Sequence, residues 1–526
     1  MTTAGSDQRM WRYAGRPERV KTFALCSGVF AVALGVRAWT TTWLTDFWGD
    51  SYHHWLVTRL TMQNGGAYSD YKGMEVVWSP LYHYVSILPL WLSGRVDIAP
   101  LHLMNVLLGA LTCALASYAA WRLFANRAAA FTAGAMLAVM SWHIAFSGMN
   151  VAEVFSGVLL LMAMTATWAG SDPARTPRLG HVLSMFLLAV AMSLTRPDLT
   201  VYLAIIFVWL CTLRRYAAAV ATAAGVFLAL AGWSLWSYSK TGKLLHWYQQ
   251  YLANSRHDWS LLNASSGNPA FAFADYMNRL SPFVLPALIV GVVGTLTWHG
   301  AQRRNALLLT ALLAGHSVFL IVGYARGVVP ILTERYLALD LPLVAVSMGG
   351  LVVLIRNGAD ATARRFSWRE VTGTWVGRGV ATFLIALTAV RFWNDVPELE
   401  IRRWEIDPEW QVGNYLQVHV ERGDIVLTDA PVAIYRSGRP PEQFISSQKL
   451  PVDVTASEAL TAAEVDWIVT QPRSYDAAAS FVPRALLEAH ASGTVDGLHF
   501  EPVWRYDPDS TEMQAEVWHL SGADKP

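Results

Sequence analysis

The run Pro80-Leu-Tyr-His-Tyr-Val-Ser-Ile-Leu-Pro-Leu-Trp-Leu92 decides the topology of the whole chain. It is apolar, but it is shorter than the roughly 20 residues that cross a bilayer core, and it carries Pro89. Positively charged loops settle whether it spans, because cytoplasmic loops collect Lys and Arg. With 80–92 outside the membrane, the arginine-rich loops all fall on the side of the N-terminus. They hold Arg122 and Arg127, Arg175 and Arg178, Arg214 and Arg215, Arg303 and Arg304, and Arg356, Arg364, Arg365 and Arg369. With 80–92 as a span, every one of them would face outward. The sequence therefore predicts about eleven spans, near 22–42, 101–121, 129–147, 152–169, 180–195, 198–213, 217–236, 282–299, 305–323, 335–355 and 376–393. The N-terminus is then cytoplasmic and the C-terminus extracytoplasmic.

Composition agrees with that class. The 526 residues are 54% hydrophobic and 15% charged, against about 25% charged in soluble domains. The 24 tryptophans suit a membrane–water interface. A net charge of +1 supplies no basic field for nucleic acid. Cys26, Cys113 and Cys211 lie in apolar runs, with neither a disulfide framework nor zinc-ligand spacing. The basic N-terminus, Arg9 to Lys21, precedes an apolar run that continues past Arg37 to Leu44 without a cleavage site. It reads as a retained first span.

The outer face then receives the polar material. It comprises the loop 43–100, the turns Gly148 to Glu153 and Thr195 to Asp198, the loop 237–281 and the turn Tyr324 to Arg335. The densest cluster of carboxylates, imidazoles and aromatics is Asp46-Phe-Trp-Gly-Asp50-Ser-Tyr-His53-His54-Trp-Leu-Val-Thr-Arg59, closing at Trp78-Ser-Pro-Leu-Tyr-His83. On a helix Asp50, His53 and His54 share a face, at i, i+3 and i+4. Trp48, Tyr52 and Trp55 suit an amphipathic helix lying on the bilayer, but so many titratable groups point to chemistry. The loop 237–281 is longer than connectivity needs and is rich in aromatic and polar residues.

From about residue 400 the composition becomes that of a soluble domain. A helix is predicted over 408–420 and strands over 424–429 and 465–470. A second helix over 477–491 and strands over 501–506 and 516–520 complete a small α/β domain. The expected division is a cytoplasmic N-terminus at 1–21, a membrane domain at 22–399 and an outer domain at 400–526.

Asp50-Ser-Tyr-His-His54, then Tyr71-Lys-Gly, then Trp78-Ser-Pro-Leu-Tyr82 resemble the first outer loop of oligosaccharyltransferase catalytic subunits. Those read approximately Asp-x-Tyr-Tyr-His, Tyr-Pro-x-Gly and Trp-Pro-Pro-Leu. The Pro-Leu-Tyr element is also similar to protein O-mannosyltransferases and the lipid A aminoarabinose transferases. Glu334-Arg-Tyr-Leu-Ala-Leu-Asp-Leu-Pro-Leu is loosely similar to the same group, the class C glycosyltransferases.

The resemblance implies a polytopic α-helical membrane protein with a small extracytoplasmic α/β domain at its C-terminus. Its activity would be a glycosyltransferase at the cell membrane, moving a sugar from a polyprenyl-phosphate donor to a glycan, lipid or protein acceptor. Asp50 is the implied catalytic acid, beside His53 and His54, with Glu153 as a second acidic residue. A positioned carboxylate can serve as general base for a poorly nucleophilic hydroxyl or amide. A divalent cation, Mg or Mn, held by Asp50, Glu153 and His54 is also open, although a hard cation usually takes more oxygen ligands.

For the donor phosphate, Arg335, Arg196 and Arg326 are placed where guanidinium groups can pair with oxyanions, with Trp78 and Tyr82 beside them in role. His246, Tyr248, His257 and Asp258 of the long loop are assigned to the acceptor side.

Asn150 occupies a place where a further carboxylate is expected, which weakens the case for a metal. Three departures narrow the reading: there is no Trp-Trp-Asp-Tyr-Gly motif in the C-terminal domain, that domain is small for those subunits, and His53 stands where they often have Tyr. Single-sugar transfer is favoured over transfer of a whole oligosaccharide from a diphosphate. A lipid-linked sugar transporter is the alternative of another class, but internal repeats and midplane charges are lacking.

Overall fold

Long apolar runs fold into long helices here, and the outward sides of those helices stay apolar. The computed structural model describes residues 16–44, 46, 49–69, 78–170, 178–249, 268, 270, 282–326, 334–366, 371–402, 406–450, 454–470, 494–495, 497–506 and 515–520. In chain order the helices begin with α1 (Arg16–Thr40), α2 (Gly49–Gln63), α3 (Leu81–Ser93), α4 (Ala99–Phe124), α5 (Arg127–Ala138) and α6 (Ser141–Gly148). Next come α7 (Glu153–Gly170), α8 (Leu179–Ser193), α9 (Leu199–Thr212) and α10 (Tyr216–Thr241). They continue as α11 (Val284–Thr297), α12 (Gly300–Ala325), the single turn α13 (Glu334–Leu337), α14 (Leu341–Arg365) and α15 (Val371–Arg402).

Among the described residues, α1, α4, α7, α10, α12, α14 and α15 are long and apolar enough to cross a membrane. Helices α5 and α6 make one further run, bent by 60°, and α8, α9 and α11 are shorter apolar helices. Together they fall on the eleven predicted segments, and α3, the ambiguous 80–92 run, is not one of them. Phe23 is 75% exposed, Leu179 83%, Phe227 75% and Leu296 72%, a surface suited to lipid rather than water. The chain is a multi-pass membrane protein.

The chain divides into two compact units, one of 1–44 with 102–396 and the other of 45–101 with 397–526. Composition alone suggested a single cut near 399. By packing, the segment 45–101 joins the C-terminal residues instead, and the apolar side of α2 is the reason.

In the first unit the break between α5 and α6 has an identifiable cause. Arg37 of α1 is fully buried. Its Nη1 donates to the carbonyls of Ala33 (3.1 Å) and Ala138 (3.4 Å), and its Nη2 to the carbonyl of Leu137 (3.4 Å). Its Nε donates to Ser147 Oγ (3.0 Å), and Nη2 lies 2.5 Å from His143 Nδ1. The Leu137 and Ala138 carbonyls end α5, where helix acceptors lack partners and a cation suits the dipole. A guanidinium only donates, so His143 accepts through Nδ1 and, as a neutral ring, carries its proton on Nε2. Gly109 of α4 leaves the space: a Cβ there would overlap Ser147 Oγ and stand 2.7 Å from Arg37 Nε.

The second unit is built on a mixed sheet. Its strands are β1 (Ile425–Leu427), β2 (Phe444–Ile445), β3 (Val465–Thr470), β4 (Thr494–Val495), β5 (Leu498–Tyr506) and β6 (Ala515–Leu520), in the order β2-β1-β3-β6-β5-β4. β1 is parallel to β2 and β3, while β6 is antiparallel to β3 and β5. β3 is buried at all its positions and alternates between faces, as a period of two requires.

On one face of the sheet Val426, Trp467, Val469 and Val517 share a core with α16 (Asp407–His419) and α17 (Pro431–Ser437). Tyr52, Trp55 and Leu56 of α2 enter that same core. On the other face Leu427, Ile468, Phe500 and Trp518 pack with Ala459 and Leu460 of α18 (Ala456–Ala462). The expected helix over 408–420 and the strands are present in this layered unit. The expected helix 477–491 lies outside the described residues, and α17 and α18 were not anticipated.

Tyr52 and Trp55, aromatics that would suit a lipid interface, are buried in the second unit. Tyr52 lies 5.0 Å from the Tyr435 ring and Trp55 lies 4.9 Å from it, while Trp55 Nε1 donates to the Val96 carbonyl at 2.8 Å. Both aromatics are core residues of the α/β unit, which is why an amphipathic pattern suggestive of a bilayer surface ends up against a sheet.

The packing at Arg37 gives a test. Gly109→Ala should destabilise the protein by overpacking, typically by about 1–3 kcal/mol, and lower its melting temperature in detergent. Gly28→Ala, with nothing within 4 Å of the added carbon, is the control. Equal melting of the two variants would remove Gly109 as a constraint.

Candidate active site

Helix α2 has two sides with different chemistry. Tyr52, Trp55 and Leu56 fix it in the core, and Asp50 occupies its first turn, where a carboxylate complements the helix dipole. Asp50 is half-buried, whereas His53 and His54 are buried. Ser51 donates to the buried Asp46, tying the entry strand of chain to the helix.

Aromatic contacts then join α2 to the second motif. Trp78 lies 4.0 Å from the His54 ring and 4.8 Å from that of His53, and Tyr82 lies 5.2 Å from His54. Sequence reasoning missed the next partners. His54 Nδ1 is 2.8 Å from His83 Nε2, and His83 Nδ1 is 3.2 Å from the Tyr68 hydroxyl. Tyr68 donates to the Trp78 carbonyl at 2.9 Å.

The shorter carbonyl contact takes the single hydroxyl proton, so His83 donates to Tyr68 through Nδ1. For neutral rings His83 Nε2 then accepts from His54 Nδ1–H. His83 stood inside the quoted Trp78–His83 stretch, so that part of the signal was in view. Tyr71 and Lys72 lie outside the described residues.

The first unit carries a separate, charged cluster. Glu153 opens α7, Arg196 and Asp198 form the turn between α8 and α9, and Arg335 lies on α13. Glu153 Oε1 accepts from Arg196 Nη1 and also from Arg335 Nε, the latter at 2.5 Å. Arg196 grips Asp198 with both remaining edges, Nε to Oδ1 at 3.0 Å and Nη2 to Oδ2 at 2.8 Å. This is the paired geometry a guanidinium fork favours. Its Cζ also lies 5.7 Å from the centre of the Tyr336 ring, within cation–π range. Two cations and two carboxylates balance, and Arg335 is the more exposed of the arginines, at 23% against 11% for Arg196.

The same unit holds a buried trio that sequence reasoning did not assign. Asp340 accepts from the Tyr202 hydroxyl at 2.8 Å and from His316 Nδ1 at 3.0 Å, and the His316 and Tyr202 rings stack at 4.6 Å. All three side chains are fully buried.

The remaining candidates are more scattered. Arg326 caps α12 and is exposed. His246 is half-buried, and burial together with the nearby Lys243 holds its imidazole below the usual range. Tyr248 is exposed at 47%, and His257 and Asp258 lie outside the described residues. Asn150 is buried. Among the described residues no group of three or more His, Cys, Asp or Glu side chains is arranged to hold a metal.

No protein-family model and no curated protein matches the chain. Solved structures do. ArnT from Cupriavidus metallidurans, bound to undecaprenyl phosphate, is 13% identical over 96% of this chain and 98% of its own, with a TM-score of 0.56. The oligosaccharyltransferase AglB from Archaeoglobus fulgidus, in complex with an inhibitory peptide and a dolichol-phosphate, is 10% identical over 87% of this chain and 70% of its own, at 0.53. The Archaeoglobus fulgidus oligosaccharyltransferase tethered to an acceptor peptide containing the NVT sequon covers 96% of this chain and 74% of its own, at 10% identity and 0.53. The chain thus shares the polytopic fold of these proteins.

Proposed function

We propose that this protein is an integral-membrane glycosyltransferase that moves a sugar from a polyprenyl-phosphate donor to an envelope acceptor, with Asp50 as its catalytic carboxylate. The observation that carries the reading is the fold shared over 96% of the chain with a protein solved bound to undecaprenyl phosphate. The absence of a Trp-Trp-Asp-Tyr-Gly motif favours transfer of one sugar to a glycan, lipid or protein over sequon recognition. The N-terminus is cytoplasmic and the C-terminal residues are extracytoplasmic in this proposal, following the arginine-rich loops.

In the reaction the acceptor's hydroxyl or amide loses its proton to Asp50 while its oxygen or nitrogen bonds to the sugar's anomeric carbon. The bond from that carbon to the phosphate oxygen breaks, and its electron pair leaves on the polyprenyl phosphate. Arg335 stabilises the phosphate charge. Arg196 has its guanidinium edges on Asp198 and Glu153, so it serves as a brace for Glu153. Glu153 in turn orients Arg335 through Nε. His54 and His53 sit on the helix that carries Asp50, and Trp78 packs on both rings.

Three outcomes test this. Asp50→Asn should lower kcat by roughly two to four orders of magnitude, about 2.7–5.5 kcal/mol of barrier, in transfer of a labelled sugar from a synthetic polyprenyl-phosphate donor. Wild-type turnover by that variant would remove Asp50 from the reaction. Arg335→Ala should raise the donor KM, and Arg335→Lys should restore only part of it, since an ammonium lacks the planar fork; indistinguishable kinetics would leave Arg335 a structural residue. A reporter fused after residue 395 should read as extracytoplasmic and one at Arg365 as cytoplasmic, and the reverse would overturn the orientation.

A further inference from the structure

The segment that carries Arg335 is held at three points. Arg335 itself donates to Glu153 at 2.5 Å. The next residue, Tyr336, lies under the Arg196 guanidinium at 5.7 Å. Asp340, which precedes α14 at its N-cap position, accepts from Tyr202 of α9 and His316 of α12.

The third point is the firmest by burial. Asp340 and His316 have no exposed side-chain surface, and Tyr202 is likewise closed off. A buried carboxylate is costly unless charge-assisted hydrogen bonds satisfy it. Here each oxygen has one, from donors on two different helices. The trio therefore resists displacement, and it lies five residues along the chain from Arg335.

The same trio is also linked to the cluster through α9. Tyr202 follows Asp198 by four positions on α9, so the two share a helix face. Asp198 holds Arg196, which shares Glu153 with Arg335. A displacement of α9 relative to α14 would thus disturb Arg335 by two routes, through the chain from Asp340 and through Asp198.

We propose that His316 and Tyr202 are positioning residues for Arg335: by clamping Asp340 they fix where the phosphate-binding guanidinium stands. They touch neither donor nor acceptor. This inference rests on Arg335 being the phosphate ligand. It adds residues that no motif of the chain pointed to, on helices α9 and α12.

The experiment measures binding of undecaprenyl phosphate to the full-length protein in detergent, with no sugar transfer required. Arg335→Ala, Asp340→Asn and the double variant form a cycle, which separates acting through a residue from acting beside it. Asp340→Asn should weaken binding at least tenfold, and His316→Asn should do the same. Both losses should vanish when Arg335 is already alanine. Tyr202→Phe, which removes one hydrogen bond and keeps the ring, should weaken binding roughly fivefold and supplies the arm if the stronger variants fail to fold.

Additive losses in the cycle would overturn the proposal, because a merely structural change weakens binding with or without Arg335. Unchanged affinity in the Asp340 and Tyr202 variants, with Arg335→Ala impaired, would also overturn it while leaving the phosphate site standing. Unchanged affinity in Arg335→Ala would remove the phosphate site and this inference together.

Discussion

One carboxylate oxygen, Oε1 of Glu153, accepts from two arginines, and the charged cluster of the first unit is arranged around it. Glu153 is 2% exposed. An isolated ion moved from water to so apolar a place costs on the order of 20 kcal/mol in the idealised limit, and even a relaxed one costs several. The cluster tolerates burial because its two carboxylates and two guanidiniums sum to zero. That balance couples elements far apart in sequence: α7, the turn after α8 and the turn α13. Taking away any member leaves a buried charge uncompensated, a change that typically destabilises by about 3–5 kcal/mol. The same pairing that orients Arg335 thus also holds three elements together.

Much of the membrane architecture was legible in the sequence, because hydropathy and arginine bias act locally along the chain. The 80–92 run is the instructive case. Its length and Pro89 were ambiguous, the charge pattern argued for a non-spanning helix, and the run folds as the short helix α3. Legibility failed where a residue's role depends on a distant partner. Arg37 read as one charge inside an apolar run; its use, capping the broken α5, depends on carbonyls about a hundred residues away. Tyr52 and Trp55 carried an honest amphipathic signal, but periodicity says only that a face is apolar, not whether lipid or a β-sheet covers it.

The two polar clusters, one in each unit, solve the burial problem differently. In the α/β unit the buried polar groups are imidazoles, a phenol and a backbone carbonyl, linked from His54 through His83 and Tyr68 to Trp78. Neutral hydrogen bonds suffice there, and a chain of them with one fixed donor direction also fixes which nitrogen each ring protonates. In the membrane unit the buried polar groups include two arginines, and an arginine cannot be neutralised by losing its proton. Carboxylates must therefore accompany it.

Where those carboxylates sit follows one physical rule. Asp50 and Glu153 lie in the first turns of α2 and α7, and Asp198 and Asp340 occupy the N-cap positions of α9 and α14. Each faces the positive end of a helix, where backbone N–H groups have no intrahelical acceptor. Ordinary capping does not account for the last two, since neither Asp198 nor Asp340 makes a side-chain cap bond among the described residues. Their oxygens go instead to Arg196, and to Tyr202 and His316. An aspartate directly before an apolar run was thus a visible signal at 198 and 340, of the same kind that singled out Glu153. The helix end lowers the cost of keeping the charge there, and the partner across the bundle determines what the charge does.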